Sequence, residues 1–396
     1  MKILHVITAL NVGGAETMLA RLLEHERMQG GARQASVLSL MPPGVAGARV
    51  RESGIPLRDC GLAGMGSLLP GLMRLRAAVR GERPDLIMAW MYHAHLAARL
   101  GTWLRRERIP VVWNVRHSID DLRQEKPALR TIIRLAALFS RWPQAIVYNS
   151  HAAARQHGRL GFAPDRATVI PNGFDCDLFQ PRVDGRDGLV ASFGIDPRAL
   201  IVGMAARNHP MKDVANLIDA VGRARKAGVD VHLLLMGQDM DRPSGRFGQL
   251  IGGLPADRLT LRGHVSSLAD VLPGLDLLVL PSAWGEGFPN ILGEAMACAV
   301  PCIATDVGDS RWIVGDAGIT VPPCAPDKLA EAIMTMWEMG RAGRKRLGAA
   351  ARARVKADFS IGRIAASYDQ LYQTIGGHAV ASRDASPSDI RQAQVM

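Results

Sequence analysis

Two cations, Arg207 and Lys212, and two acids, Glu286 and Glu294, are the side chains of this 396-residue chain whose types and surroundings point most directly to chemistry. Arg207 and Lys212 follow an apolar run, residues 201–205, that reads as a strand, and they lead into a stretch of helical period at 214–221. Positive charges fixed at the carboxyl end of a strand can neutralise a diphosphate without a metal; a pair of solvated surface charges would carry no such meaning. What favours the first reading is a second constellation. After the run that ends at Leu280, a loop with glycines at 285 and 287 leads into a helix that Pro289 can start. The N–H groups of Gly287, Phe288, Asn290 and Ile291 would then face phosphate or sugar oxygens. Glu286 lies in that loop. Glu294 lies in the helix beside Ala295, Met296 and Ala297, where burying an acid is costly without a hydroxyl or N–H partner, and a ribose diol is such a partner.

Other residues give weaker signals. Gly13 and Gly14 stand between a strand at 3–8 and a helix carrying Met18, Leu19, Leu22 and Leu23, so they form either an anion-binding helix start or a plain turn. Two Asp-x-Asp triplets, Asp175 with Asp177 and Asp239 with Asp241, have the spacing of a metal-bridging pair. Five cysteines, at 60, 176, 298, 302 and 324, are an odd number with no CxxC and no His partners at ligand spacing, which argues against a zinc site or a disulfide framework.

The elements that must position these residues follow from the apolar pattern. Short Val, Ile and Leu runs alternate with longer helical segments, the pattern of parallel sheets covered on both faces. Strands are expected at 3–8, 35–40, 86–90, 111–115, 145–149 and 168–170, then at 201–205, 232–236, 259–263, 277–280 and 301–304. The fold class is therefore α/β, with two Rossmann-like doubly wound domains, residues 1–180 and 181–358. The polar segment 181–197 reads as a linker and 376–396 as a disordered tail. No apolar stretch reaches the roughly 20 residues that span a bilayer, and the first residues are too short a run for a signal peptide. The expectation is a cytoplasmic or peripheral protein.

The formal net charge of +11 is uneven: residues 1–180 hold 24 Lys and Arg against 14 Asp and Glu, and residues 181–396 hold 24 against 23. Much of the excess lies in 68–83 (Arg74, Arg76, Arg80, Arg83) and 99–108 (Arg99, Arg105, Arg106, Arg108). Mixed with Leu, Met and Trp at helical spacing, these suit either an anionic membrane surface or ordinary solvated helix faces. Nucleic acid is not expected as a partner, because no helix-turn-helix, zinc-finger or RNP signature is present.

With these motifs on the page, the chain resembles the retaining glycosyltransferases of the GT-B fold, family four (group 1). The likeness runs from Met1 to about Ile375. It is carried by Gly13-Gly-Ala-Glu16, Asn149-Ser150, Pro171-Asn-Gly-Phe-Asp175, Arg207 with Lys212, Gly263-His-Val-Ser, Glu286-Gly-Phe-Pro-Asn with Glu294 at the E-x7-E spacing, and Thr305-Asp-Val-Gly308. The resemblance implies a nucleotide-sugar donor, preferably a UDP-sugar, a saccharide or lipid-linked saccharide acceptor in polysaccharide or cell-envelope synthesis, and no essential metal or cofactor. It implies that Arg207 and Lys212 hold the diphosphate, Glu294 the ribose, and Glu286 with the backbone after it the sugar. His264 and Val265 frame the base, and Gly13 and Gly14 approach the phosphates. It further implies that residues 359–375 form a helix crossing back to the first domain. His117 matches by position a histidine that relatives aim at the transferred sugar; otherwise it caps a strand end. Arg116 is its neighbour, and His93 and His95 either line the acceptor side or are structural. The chain departs from the family at Ala206-Arg207-Asn208, and at Asp213, where relatives carry glycine. A nonhydrolysing sugar-nucleotide epimerase and a non-catalytic binding protein are the rival functions.

Overall fold

Strands buried on both faces of a parallel sheet are mostly apolar, and the central strands follow this with His5, Asn114 and His232 as buried polar exceptions. The computed structural model describes residues 1–11, 13–30, 33–102 and 109–384. It divides into two units, Met1–Gly173 with Ile361–Met396, and Phe174–Ser360.

The first unit holds a seven-stranded parallel sheet: β1 (Lys2–Ile7), β2 (Gln34–Ser39), β3 (Leu57–Asp59), β4 (Leu86–Trp90), β5 (Val111–Val115), β6 (Ala145–Tyr148) and β7 (Ala167–Val169). Their order is β3-β2-β1-β4-β5-β6-β7. Helices α1 (Gly14–Met28), α2 (Val45–Glu52), α3 (Leu68–Glu82), α4 (Tyr92–Thr102), α5 (Pro127–Leu138) and α6 (His151–Arg159) belong to it. In the second unit β8 (Leu200–Ala205), β9 (Val231–Met236), β10 (Leu259–Arg262), β11 (Leu277–Leu280), β12 (Cys302–Thr305) and β13 (Gly318–Val321) pair as β10-β9-β8-β11-β12-β13. Its helices are α7 (Gly185–Phe193), α8 (Val214–Lys226), α9 (Gly245–Ile251), α10 (Leu268–Val271), α11 (Asn290–Ala297), α12 (Ser310–Val314), α13 (Pro326–Glu338) and α14 (Gly340–Arg354). The last helix, α15 (Ile361–Asp384), is grouped with the first unit.

Several expectations need correction. Strands β3 and β13 escaped the sequence reading because both are short sheet edges with little buried apolar surface. The segment expected to be a linker contains α7, fixed where Gly185 packs against Pro273 and where Arg186 pairs with the buried Asp276. The boundary expected at 180 falls after Gly173. The reason is Phe174: its N–H donates to the Phe359 carbonyl at 2.8 Å, and its ring is fully buried against Phe288. Residues 376–384, expected to belong to a disordered tail, are part of α15, which extends to Asp384; the rest of that segment lies outside the described residues. So do Trp103, Arg105, Arg106 and Arg108.

Tyr368 of α15 explains why that helix docks where it does. Its ring stacks on Trp90, centroids 6.5 Å apart, and its hydroxyl accepts from Asn114 Nδ2 at 2.8 Å and from Arg116. All three partners stand at the carboxyl ends of β4 and β5.

Candidate active site

In the second unit the strand order reverses between β8 and β11, and the crevice beyond the carboxyl ends at such a point is where α/β sheets bind ligands. Both expected constellations emerge there: Arg207 and Lys212 after β8, and Glu286 after β11. Their loops are joined by the Ala283 N–H, which donates to the Met211 carbonyl at 2.8 Å. Gly285, with φ 76°, leaves room for the Met211 side chain; a Cβ there would lie 2.5 Å from its sulfur. This packing brings Lys212 Nζ onto Glu286 Oε1 as an ion pair, both side chains largely buried. Ser282, fully buried, donates its hydroxyl to the same oxygen at 2.5 Å. Arg207 remains exposed. His209 lies between the two cations, and burial followed by the charges of Arg207 and Lys212 holds its imidazole below the usual range. Asp213, the residue after Lys212, adopts φ 45° and ψ 50°, so the loop holds a left-handed non-glycine residue at a cost of about 1 kcal/mol.

The Glu286 loop rests on the Thr305–Gly308 segment. Thr305 Oγ1 donates to the Ser282 carbonyl at 2.6 Å, and the Asp309 N–H donates to the Gly287 carbonyl at 2.9 Å. Gly308 has φ 62°, and a Cβ on it would sit 2.2 Å from the Glu286 carbonyl oxygen. Pro289 is the N-cap of α11, which begins at Asn290 and continues through Ile291 and the buried Glu294. The Phe288 side chain turns inward against Phe174, Trp312 and Phe359, so only its backbone faces the crevice side. His264 follows β10 and is exposed, and Val265 packs on the core. All these loops leave carboxyl ends of strands in one sheet.

In the first unit the order reverses between β1 and β4, and Gly13, Gly14 and His117 lie at the carboxyl ends of β1 and β5. Gly13 is the N-cap of α1, and a Cβ there would lie 2.4 Å from Glu16 Oε2. The glycine is thus needed for Glu16 to fold back over the helix start, and burial raises the Glu16 carboxyl above its usual value. Gly14 borders open space. His117 Nε2 lies 3.2 Å from Glu125 Oε1 and Nδ1 lies 3.4 Å from Tyr92 Oη. Arg116 is turned away from it, donating to Asn114, Asn172 and Tyr368. His95 is fully buried and stacks on Trp113 with centroids 4.7 Å apart, which makes it a core residue; His93 is exposed.

The Asp-x-Asp triplets have local roles. Asp175 Oδ1 accepts from the N–H groups of Asp177 and Leu178, and Asp241 lies against Gly263. Among the described residues no cluster with metal-binding geometry occurs, and the five cysteines are free thiols. Sequence reasoning missed Ser282, His209, Tyr92, Glu125 and His157. Only Ser282, a polar residue two positions after a buried strand, carried a local signal.

A family model described as Glycosyltransferase Family 4 matches residues 12–178, and one described as Glycosyl transferases group 1 matches residues 196–339. EpsF of Bacillus subtilis, named a glycosyltransferase, is 26% identical over 320 residues, covering 77% of this chain and 79% of that protein. The phosphatidyl-myo-inositol mannosyltransferase of Mycobacterium tuberculosis is 30% identical over 234 residues, 56% of this chain and 57% of that protein. Among solved structures, Anabaena Alr3699/HepE in complex with UDP superposes with a TM-score of 0.82 at 22% identity, covering 94% of this chain and all of that one. The two family models adjoin across the two sheets, and on them and on this fold the chain belongs to the family 4, group 1 glycosyltransferases of GT-B architecture.

Proposed function

We propose that this glycosyltransferase moves a hexosyl group from a nucleoside diphosphate donor, UDP-sugar by preference, to a saccharide or lipid-linked saccharide acceptor with retention of configuration. The observation that carries this reading is the convergence of Lys212, Glu286 and Ser282 at the β8–β11 reversal, with Glu294 on the helix that follows. Arg207 and Lys212 would take the charge that develops on the leaving diphosphate, and Glu286 and the Gly287–Ile291 backbone would hold the sugar. Glu294 would hold the ribose, and His264 and Val265 the base. The chain supplies charge and position rather than a nucleophile. The choice of UDP is supported by the complexes of HepE with UDP and with UDP-glucose, and a lipid-borne acceptor by the phosphatidyl-myo-inositol in the name of the mycobacterial relative.

A membrane surface as partner is supported by the helices of the first unit. Leu68, Leu69 and Met73 on α3, Leu100 on α4, and Leu135, Leu138 and Phe139 at α5 are all exposed. Arginines 74, 76, 80, 99, 130, 134 and 141 accompany them, and α4 and α5 contain no acid. No described helix is long and apolar enough to cross a membrane.

The test supplies a panel of sugar nucleotides with and without acceptor and measures release of nucleoside diphosphate in excess EDTA. Acceptor-dependent release is expected with the metal chelated. Isomerised donor without acceptor would make the chain an epimerase, and loss of activity restored by a divalent cation would return the Asp-x-Asp triplets to the site.

A further inference from the structure

His157 on α6 is fully buried, and its Nδ1 lies 2.8 Å from the Ala153 carbonyl oxygen. A carbonyl can only accept, so Nδ1 carries a proton. Burial takes this imidazole down to about 4, so near neutral pH the ring is uncharged and Nε2 is an acceptor. Tyr92 Oη lies 2.7 Å from that nitrogen, and burial holds the phenol well above its usual range. The single hydroxyl proton of Tyr92 is therefore committed to His157. Toward His117 it offers only lone pairs.

The separation to His117 Nδ1 is 3.4 Å, against 3.2 Å from Nε2 to the Glu125 carboxylate. Burial pulls the His117 imidazole below its usual value and Glu125 pulls it back up. The neutral ring has one proton to place, and the carboxylate attracts it more strongly than a neutral oxygen does. It settles on Nε2. Nδ1 is then an acceptor facing an oxygen that has nothing to donate, across a contact too long for a firm hydrogen bond. The other titratable groups against this run do not compete near neutral pH: burial takes His95 to about 3 and raises the Tyr148 phenol.

We propose that Glu125, Tyr92 and His157 are positioning residues that fix His117 as its neutral Nε2–H tautomer and so set the orientation in which its ring meets substrate. Protonating Nδ1 would charge the ring and draw the new N–H onto Tyr92. This role in substrate binding rests on the transferase reading above; the tautomer does not.

The test begins with the full chain labelled with 15N at histidine, correlating ring nitrogens with carbon-bound protons above the His117 titration and assigning His117 by its loss in His117→Asn. Expected are Nε2–H for His117 and Nδ1–H for His157; Nδ1–H at His117 overturns the proposal whether or not transfer is detected. Glu125→Ala should release the tautomer toward Nδ1–H and raise KM for the substrate about tenfold, the scale of one lost hydrogen bond. Glu125→Gln keeps an oxygen for Nε2–H and should restore tautomer and KM. Because it removes the charge that raises the His117 pKa, it should also move the low-pH limb of kcat/KM to lower pH. A Glu125→Ala protein with unchanged tautomer, or a Glu125→Gln limb that stays in place, refutes the assignment. Absence of transfer with every donor counts against the transferase reading instead.

Discussion

Lys212 Nζ donates to Glu286 Oε1, so the cation read as a diphosphate ligand and the acid read as a sugar ligand hold each other across two loops. Removing one partner of a buried pair leaves an uncompensated charge and costs about 3–5 kcal/mol. Lys212→Ala should therefore lower folding stability by that order as well as abolish most activity, because Glu286 sits on a short stem and would keep the neutral Ser282 hydroxyl but lose its cation. Glu286→Gln should cost much less, since a lysine can lift its ammonium to water along its flexible chain. Urea midpoints of the two variants and of the double variant measure the difference, and equal losses would contradict it.

The two glutamates should separate by ligand. Glu294→Gln is expected to weaken nucleoside diphosphate and sugar nucleotide alike. Glu286→Gln should lower kcat while leaving nucleoside diphosphate affinity nearly unchanged. Calorimetric affinities and steady-state kinetics for each variant check this; parallel losses of nucleoside diphosphate affinity would merge the two roles.

Gly293 lies in α11 between the acids, and a Cβ there would meet the Phe174 ring at 2.1 Å. Phe174 is fully buried, so the ring cannot retreat without disturbing Phe288. Gly293→Ala should destabilise the chain by about 1–3 kcal/mol through overpacking despite the better helix propensity of alanine. A thermal midpoint at or above that of the wild type would show that the contact yields.

Glu26 lines a cavity of about 780 Å³ at the edge of the first sheet that holds Lys2 and Gln34, opposite the carboxyl ends. Its Oε1 has no hydrogen-bond partner among the described residues, and burial raises its pKa from 4.5 to about 7. A carboxyl raised on folding is protonated more readily in the native state, so stability should fall as pH rises from about 4.5 to above 7. Glu26→Gln should flatten that slope and add on the order of 2 kcal/mol at pH 8. Denaturation at pH 5 and pH 8 gives the answer; an unchanged difference between the two would refute it.

Binding to anionic vesicles should weaken with salt, since the attraction is screened over about 8 Å at physiological ionic strength. Replacing Leu138 and Phe139, 74% and 41% exposed, by serine should reduce binding further without loss of stability. Equal co-sedimentation with neutral vesicles would remove the electrostatic part.

Strands were legible wherever burial on both faces forced continuous apolar runs, as at Leu86–Trp90 and Leu277–Leu280. The edges β3 and β13 were not, because an edge strand buries too little to leave a signature. In the candidate site the cations and acids were visible because type and spacing name them. The Lys212–Glu286 pair was not, since the sequence places the residues in separate loops, which the Ala283–Met211 hydrogen bond and the packing of Gly285 on Met211 bring together. The Tyr92, Glu125 and His157 network around His117 had no spacing to reveal it. Its members come from three elements, and their roles follow from which atoms can donate.

The bridge between Phe174 and Ser360 has a bearing on synthesis. The second unit is one unbroken segment whose ends meet, while the first needs Tyr368 to cover Trp90 and to satisfy Asn114 and Arg116. During vectorial translation the unit begun last can therefore finish first. The earlier-made half must wait, with the Trp90 ring and its apolar neighbours uncovered, until α15 has been made. In that interval it is the part of the chain a chaperone would hold.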